Sequence, residues 1–101
     1  MIIGVKEMVT RVITNSIKEG CKEAYIQVSK EFCKVLMEKD GCIESKVYEV
    51  AGCDTKVVYI ERWPDVETAE AVMQSETFKE FAPKLGQYYA GTEEMYLYET
   101  E

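Results

Sequence analysis

An acid, a cation and an indole stand in succession where an apolar run ends: Glu61-Arg62-Trp63 follows Val57-Val58-Tyr59-Ile60 and is halted by Pro64. Such a set could take a proton from a flat, oxygenated molecule and stabilise the anion left behind. Arg62 could stabilise a developing oxyanion, Trp63 could stack on a planar substrate, and Tyr59 or Tyr25 could orient its oxygens. Asn15 could donate its amide to an oxygen or, equally, cap the loop that follows it. The chain has no histidine, so a base working near neutral pH must be a carboxylate or a tyrosine of shifted pKa. Glu61 is the carboxylate in place.

Each of these residues also has a plainer reading. Trp63 suits a sheet corner or a subunit contact, and Arg62 an ion pair with Glu61 or with a helix acid. Glu61 suits a buried structural acid, and the seven tyrosines suit half-buried packing with wet hydroxyls. Strand alternation puts Tyr59, Glu61 and Trp63 on one face and Arg62 on the other, so these four cannot all line one pocket.

The elements that must position them follow from hydrophobic spacing. Met8 to Asn15 is rich in β-branched residues and reads as a strand. From Cys21 to Lys39 the residues Tyr25, Val28, Phe32, Val35 and Leu36 fall on one face of a helix, which Asp40-Gly41 ends. Cys42 to Val50 and Val57 to Trp63 read as an antiparallel pair joined by the turn Ala51-Gly52-Cys53-Asp54. Asp65 caps a helix carrying Val66, Ala69, Val72 and Met73, with Glu67 favoured in its first turn. Ser75 can cap a second short helix carrying Phe78 and Phe81, which Pro83 should disturb or end. Gly86 to Gly91 reads as a loop and Glu94 to Thr100 as the last strand.

The order is βαββαβ, an α+β ferredoxin-like plait: a four-stranded antiparallel sheet with helices on one face. A sheet with one wet face should alternate apolar and polar residues. Here Met95 and Leu97 alternate with Tyr96 and Tyr98, and Val57 and Tyr59 with Val58 and Ile60. Both faces look covered, and helices reach only one. A second copy, sheet against sheet, is the expected cover.

The chain has 101 residues, 47% of them hydrophobic, which suits one packed domain spanning residues 1–101. Residues 1–7 could extend the first strand, reach a partner or be loose. Twelve Lys and Arg against 19 Asp and Glu give a net charge of −7, and no basic stripe relieves it, so nucleic acid is an unsuitable partner. No apolar run suits a membrane span and the early charges argue against a signal peptide, so the cytoplasm is the expected address. Cys21, Cys33, Cys42 and Cys53 show neither zinc nor redox-pair spacing. Cys33 reads as a buried hydrophobe, while Cys21, beside a helix start, could have a lowered thiol pKa.

The element order with Glu61-Arg62-Trp63 ending the third strand resembles the antibiotic biosynthesis monooxygenase family. So do the Gly20 loop, Asp40-Gly41-Cys42, and Ser75-Glu-Thr-Phe78-Lys after the tryptophan. The likeness spans roughly residues 8 to 100. It implies a dimeric α/β barrel with a pocket inside each subunit, between helices and sheet. It also implies oxygenation of phenols or quinols by O2 without metal or flavin, hence no cofactor, with the substrate itself reducing oxygen. On it, Glu61, Arg62 and Trp63 are the candidate catalytic residues, and Asn15, Tyr25, Tyr59, Val72 and Phe78 the candidate substrate contacts. Many members carry a histidine where this chain has Val72. The haem-degrading branch has a tryptophan there and a histidine where this chain has Ala82, which argues against haem degradation by that route. The departure at Val72 keeps an alternative open: a non-catalytic dimer that binds a small hydrophobic ligand, or a structural or stress-related module.

Overall fold

The computed structural model describes residues 8–100; the readings made for residues 1–7 lie outside them. Four strands and three α-helices follow one another as β1 (Val9–Ile17), α1 (Lys22–Lys39), β2 (Glu44–Glu49), β3 (Lys56–Trp63), α2 (Val66–Ala71), α3 (Glu76–Gly86) and β4 (Tyr89–Leu97), with a 3₁₀ turn at Val72–Gln74 between α2 and α3. The sheet order is β2-β3-β1-β4, every neighbour antiparallel. This is the ferredoxin-like α+β plait that the element order implies.

The local signals act as their chemistry requires. Asp65 Oδ1 accepts the Thr68 N–H at 2.6 Å, and Ser75 Oγ accepts the Phe78 N–H at 3.1 Å, so each helix start satisfies a donor that has no helical partner. Gly41 ends α1 at φ +82° and Gly52 makes the β2–β3 turn at φ +74°, conformations that a Cβ disfavours. Helix α1 lays Tyr25, Ser29, Phe32, Cys33 and Leu36 on the sheet. Val9, Val57, Tyr59, Trp63, Phe81 and Leu85 complete the core.

The elements differ from the sequence reading chiefly at three places. First, β1 continues to Ile17, whose N–H is taken by the Thr55 carbonyl at 2.8 Å. Asn15 therefore sits within the strand, paired on both sides, not at a loop. Second, β4 starts at Tyr89 and ends at Leu97, where its pairing with β1 stops at Thr10 opposite Leu97. Third, α3 runs through Pro83 to Gly86. Proline there removes only the bond to the Lys79 carbonyl, on a solvent-facing turn, while Phe81 and Leu85 hold the helix to the core.

All four cysteines are free thiols. Burial pushes the Cys33 thiol up to about 11 and the Cys42 thiol up to about 12, which marks both as inert packing groups. No described helix is long and apolar enough to cross a membrane.

Candidate active site

The inner face of the sheet is a grid fixed by register. Arg11 stands opposite Glu61 on β3 and Tyr96 on β4; Ile13 opposite Tyr59 and Glu94; Asn15 opposite Val57 and Thr92. Above this grid lie Tyr25, Phe32 and Leu36 of α1, Val72 and Met73 of the 3₁₀ turn, and Phe78, Ala82 and Leu85 of α3. Between the layers is a cavity of about 150 Å³. Tyr25, Tyr59, Glu61 and Leu36 are buried at its base, whereas Met73, Tyr89 and Glu94 are exposed and mark its mouth beside the edge strand β4.

One end of the cavity is ionic. Glu61 is 1% exposed, and its Oε1 accepts the Trp63 indole N–H at 2.9 Å and lies 4.0 Å from Arg11 Nη1. Arg11 Nη2 donates to Glu94 Oε2 at 2.7 Å. Burial pushes the Glu61 carboxyl above its ordinary value; the bond from Trp63 and the charge of Arg11 oppose that rise without cancelling it. Burial works against the Arg11 charge, but the bond to Glu94 and the charges of Glu61 and Glu94 outweigh it and hold the guanidinium above its ordinary value. The Nε of Arg11 is buried with no acceptor among the described residues.

The other end is a hydroxyl network. Asn15 Nδ2 donates to Tyr25 Oη at 2.6 Å, and Tyr59 Oη donates to the same atom at 3.3 Å. Ser29 Oγ and Tyr59 Oη lie 2.7 Å apart, joined by one further hydrogen bond. Burial raises the pKa of both phenols, so neither is a base near neutrality. Phe32, Leu36, Val72, Phe78 and Leu85 supply apolar walls between the two ends.

Of the residues singled out from sequence, Asn15, Tyr25, Tyr59, Glu61, Val72 and Phe78 line this one cavity. Trp63 is wholly buried behind Glu61 and does not line the cavity; its indole N–H is given to Glu61. Arg62 is a correction. It lies on the opposite face of β3, exposed, with its guanidinium 2.9 Å from Met8 Sδ, and among the described residues it pairs with no acid. The period of two along a strand forbids it the cavity that Glu61 enters. The cation that sequence reasoning missed is Arg11. Its signal was parity: Arg11 shares its face of β1 with Val9, Ile13 and Asn15, and a charge on the inward face of a central strand requires a partner.

The fold is an α+β plait with a walled, partly ionic cavity between helices and sheet. The profile of the antibiotic biosynthesis monooxygenases matches residues 8–84, and the chain belongs to that family. No curated protein matches it. Among solved structures, a suspected antibiotic biosynthesis monooxygenase of Bordetella bronchiseptica superposes with TM-score 0.86 at 13% identity, covering 95% of this chain and 100% of that one. Another from Nitrosomonas europaea gives 0.83 at 14% identity, covering 93% and 91%. A conserved protein of Methanosarcina mazei gives 0.79 at 22% identity, covering 91% and 92%. At these identities the likeness speaks to fold.

Proposed function

We propose that the protein is a cofactor-independent monooxygenase of a small phenol or quinol. The observation that carries this reading is a carboxylate, Glu61, buried at an apolar cavity beside a cation and held by an indole donor. Its raised pKa makes the carboxylate, once ionised, a better base than one at the surface. Glu61 takes the phenolic proton, and Arg11 Nε–H stabilises the phenolate that forms. The electron-rich ring reduces O2 and bonds one of its oxygen atoms. The other leaves as water, so a quinol and O2 give a hydroxyquinone and water with atoms and electrons balanced. Apolar walls exclude bulk water and so strengthen both electrostatic effects.

The same proposal includes a homodimer. Val12, Val58 and Ile60 are half-buried on the sheet face away from the helices, beside exposed Met95 and Leu97, and a second copy would cover them. Four free thiols suit a reducing cytoplasm. Val72, where many relatives carry a histidine, supports a second reading: a dimer that binds a hydrophobic ligand without turning it over. Oxygen uptake separates the two. Consumption of O2 above the buffer rate with quinols, lost on Glu61→Gln, supports the enzyme. A panel of quinols giving only background, with ligand still retained in native mass spectra, supports the binding module.

A further inference from the structure

We propose that the occupant of this cavity is a single aromatic ring bearing oxygens at opposite edges, a monocyclic para-quinol and its para-quinone, in preference to a polycyclic phenol or an aromatic acid. The inference rests on the functional reading above for its chemistry, but on geometry for its shape. A volume of about 150 Å³ is what an engineered apolar cavity offers a single benzene ring. Drug-sized ligands occupy roughly 300–1,000 Å³.

The oxygens are placed by what the two ends leave uncommitted. At one end Arg11 Nε is a buried donor with no acceptor among the described residues, next to the carboxylate of Glu61. A phenolic hydroxyl there would donate to Glu61 and accept from Arg11. At the other end Tyr25 Oη already accepts from both Asn15 and Tyr59, which leaves its own proton to give. A ring oxygen there would accept it. Arg11 and Asn15 are four residues apart on β1 with Ile13 between them on the same face, so the strand itself runs polar, apolar, polar. The ligand that matches is oxygen, ring, oxygen. Once oxidised, the same molecule presents two acceptors to two donors.

Charge excludes the aromatic acids. The ionic end already holds two carboxylates, Glu61 and Glu94, against the single cation Arg11. A ligand carboxylate would add a further anion in a desolvated place, at a cost that no other cation among the described lining residues offsets.

The test is equilibrium binding without oxygen, followed by tyrosine and tryptophan fluorescence and by calorimetry. The probes are hydroquinone, resorcinol, 4-hydroxybenzoate and 1,4-dihydroxynaphthalene. Hydroquinone should bind about tenfold more tightly than resorcinol, the worth of one uncompensated buried hydrogen bond, and more tightly than the bicyclic probe, which the volume excludes, and the acid, which the charge excludes. Tyr25→Phe, checked for folding by circular dichroism, should erase the preference for hydroquinone over resorcinol while keeping the preference over the acid. Equal or tighter binding of the bicyclic probe, of resorcinol or of 4-hydroxybenzoate overturns the proposal, as does no binding of any probe. The expected binding pattern with no oxygen uptake once air is admitted sustains this inference and overturns the monooxygenase. Oxygen uptake on a polycyclic substrate without hydroquinone binding does the reverse.

Discussion

Trp63 gives its indole N–H to Glu61, two residues earlier on the same face of the same strand, at 2.9 Å. The tryptophan is 0% exposed and does not line the cavity. It positions the acid that does. Trp63→Phe keeps the ring and deletes the donor, one of the two influences that hold the Glu61 pKa down. Glu61 should then ionise at higher pH. The acid limb of the pH–rate profile should move upward, with turnover at neutral pH falling about tenfold, the worth of a hydrogen bond to a charged group. A profile that falls in height without moving along the pH axis would assign Trp63 to packing alone.

Two arginines separate the site from the outer face. Arg11→Met removes the buried cation and its Nε donor from the cavity, leaving Glu61 beside Glu94 without a counter-charge. Loss of one preorganised oxyanion donor costs about 10²–10³ in kcat. Arg62→Ala alters an exposed side chain and should leave kcat within about twofold, the usual span for surface changes. Steady-state oxygen uptake on the two variants decides it. A large loss for Arg62→Ala with a small one for Arg11→Met would reverse the assignment.

The contrast shows where sequence reasoning stops. Strand parity was enough to put Tyr59, Glu61 and Trp63 together and to set Arg62 apart, because a pleated strand has a period of two whatever surrounds it. Helix faces and caps were legible for the same reason: Asp65, Ser75 and Gly41 act within three or four residues of themselves. Arg11 was not legible as a partner of Glu61, because their pairing is a register across fifty residues of chain, decided by how β1 and β3 slide before they lock. The limits of β4 were lost in the same way: Tyr98 continues the alternation of a strand, but the ladder with β1 stops at Thr10 and Leu97. Pro83 misled because a local rule about donors was set against burial of Phe81 and Leu85, and burial is the larger effect.

Glu61 also ties stability to pH. Its folded-state pKa lies above the ordinary 4.5. Below that ordinary value both folded and unfolded chains hold the proton, and the site's contribution is complete. As pH rises the unfolded chain ionises first, and stability is lost until the folded carboxyl ionises too. Glu61→Gln keeps an acceptor for the Trp63 N–H but cannot ionise. The melting temperature of the wild type relative to Glu61→Gln should therefore fall as pH climbs from 4.5 through the raised value. Each kcal/mol corresponds to roughly 4–8 °C in a domain of this size. Parallel melting curves across that range would show that burial does not perturb this acid.

The proposed dimer makes the last prediction. Across the outer face of the sheet, Met95, Val12 and Ile60 form one row by register, and Leu97 beside Thr10 starts the next. Met95 is 55% and Leu97 46% exposed in the single chain. A two-fold axis through this face would set the patch against itself, so that one substitution acts twice in each dimer. Met95→Lys with Leu97→Lys places two cations per subunit on the interface, yet both positions are open to water in the monomer. The fold should therefore survive with unchanged circular dichroism. Sedimentation at micromolar concentration should show a dimer for the wild type and a monomer for the double variant. The lining residues named above lie within a single chain, so its binding of hydroquinone should weaken far less than the dimer does. A wild type that sediments as a monomer would leave these apolar side chains in water and remove the second copy from the account.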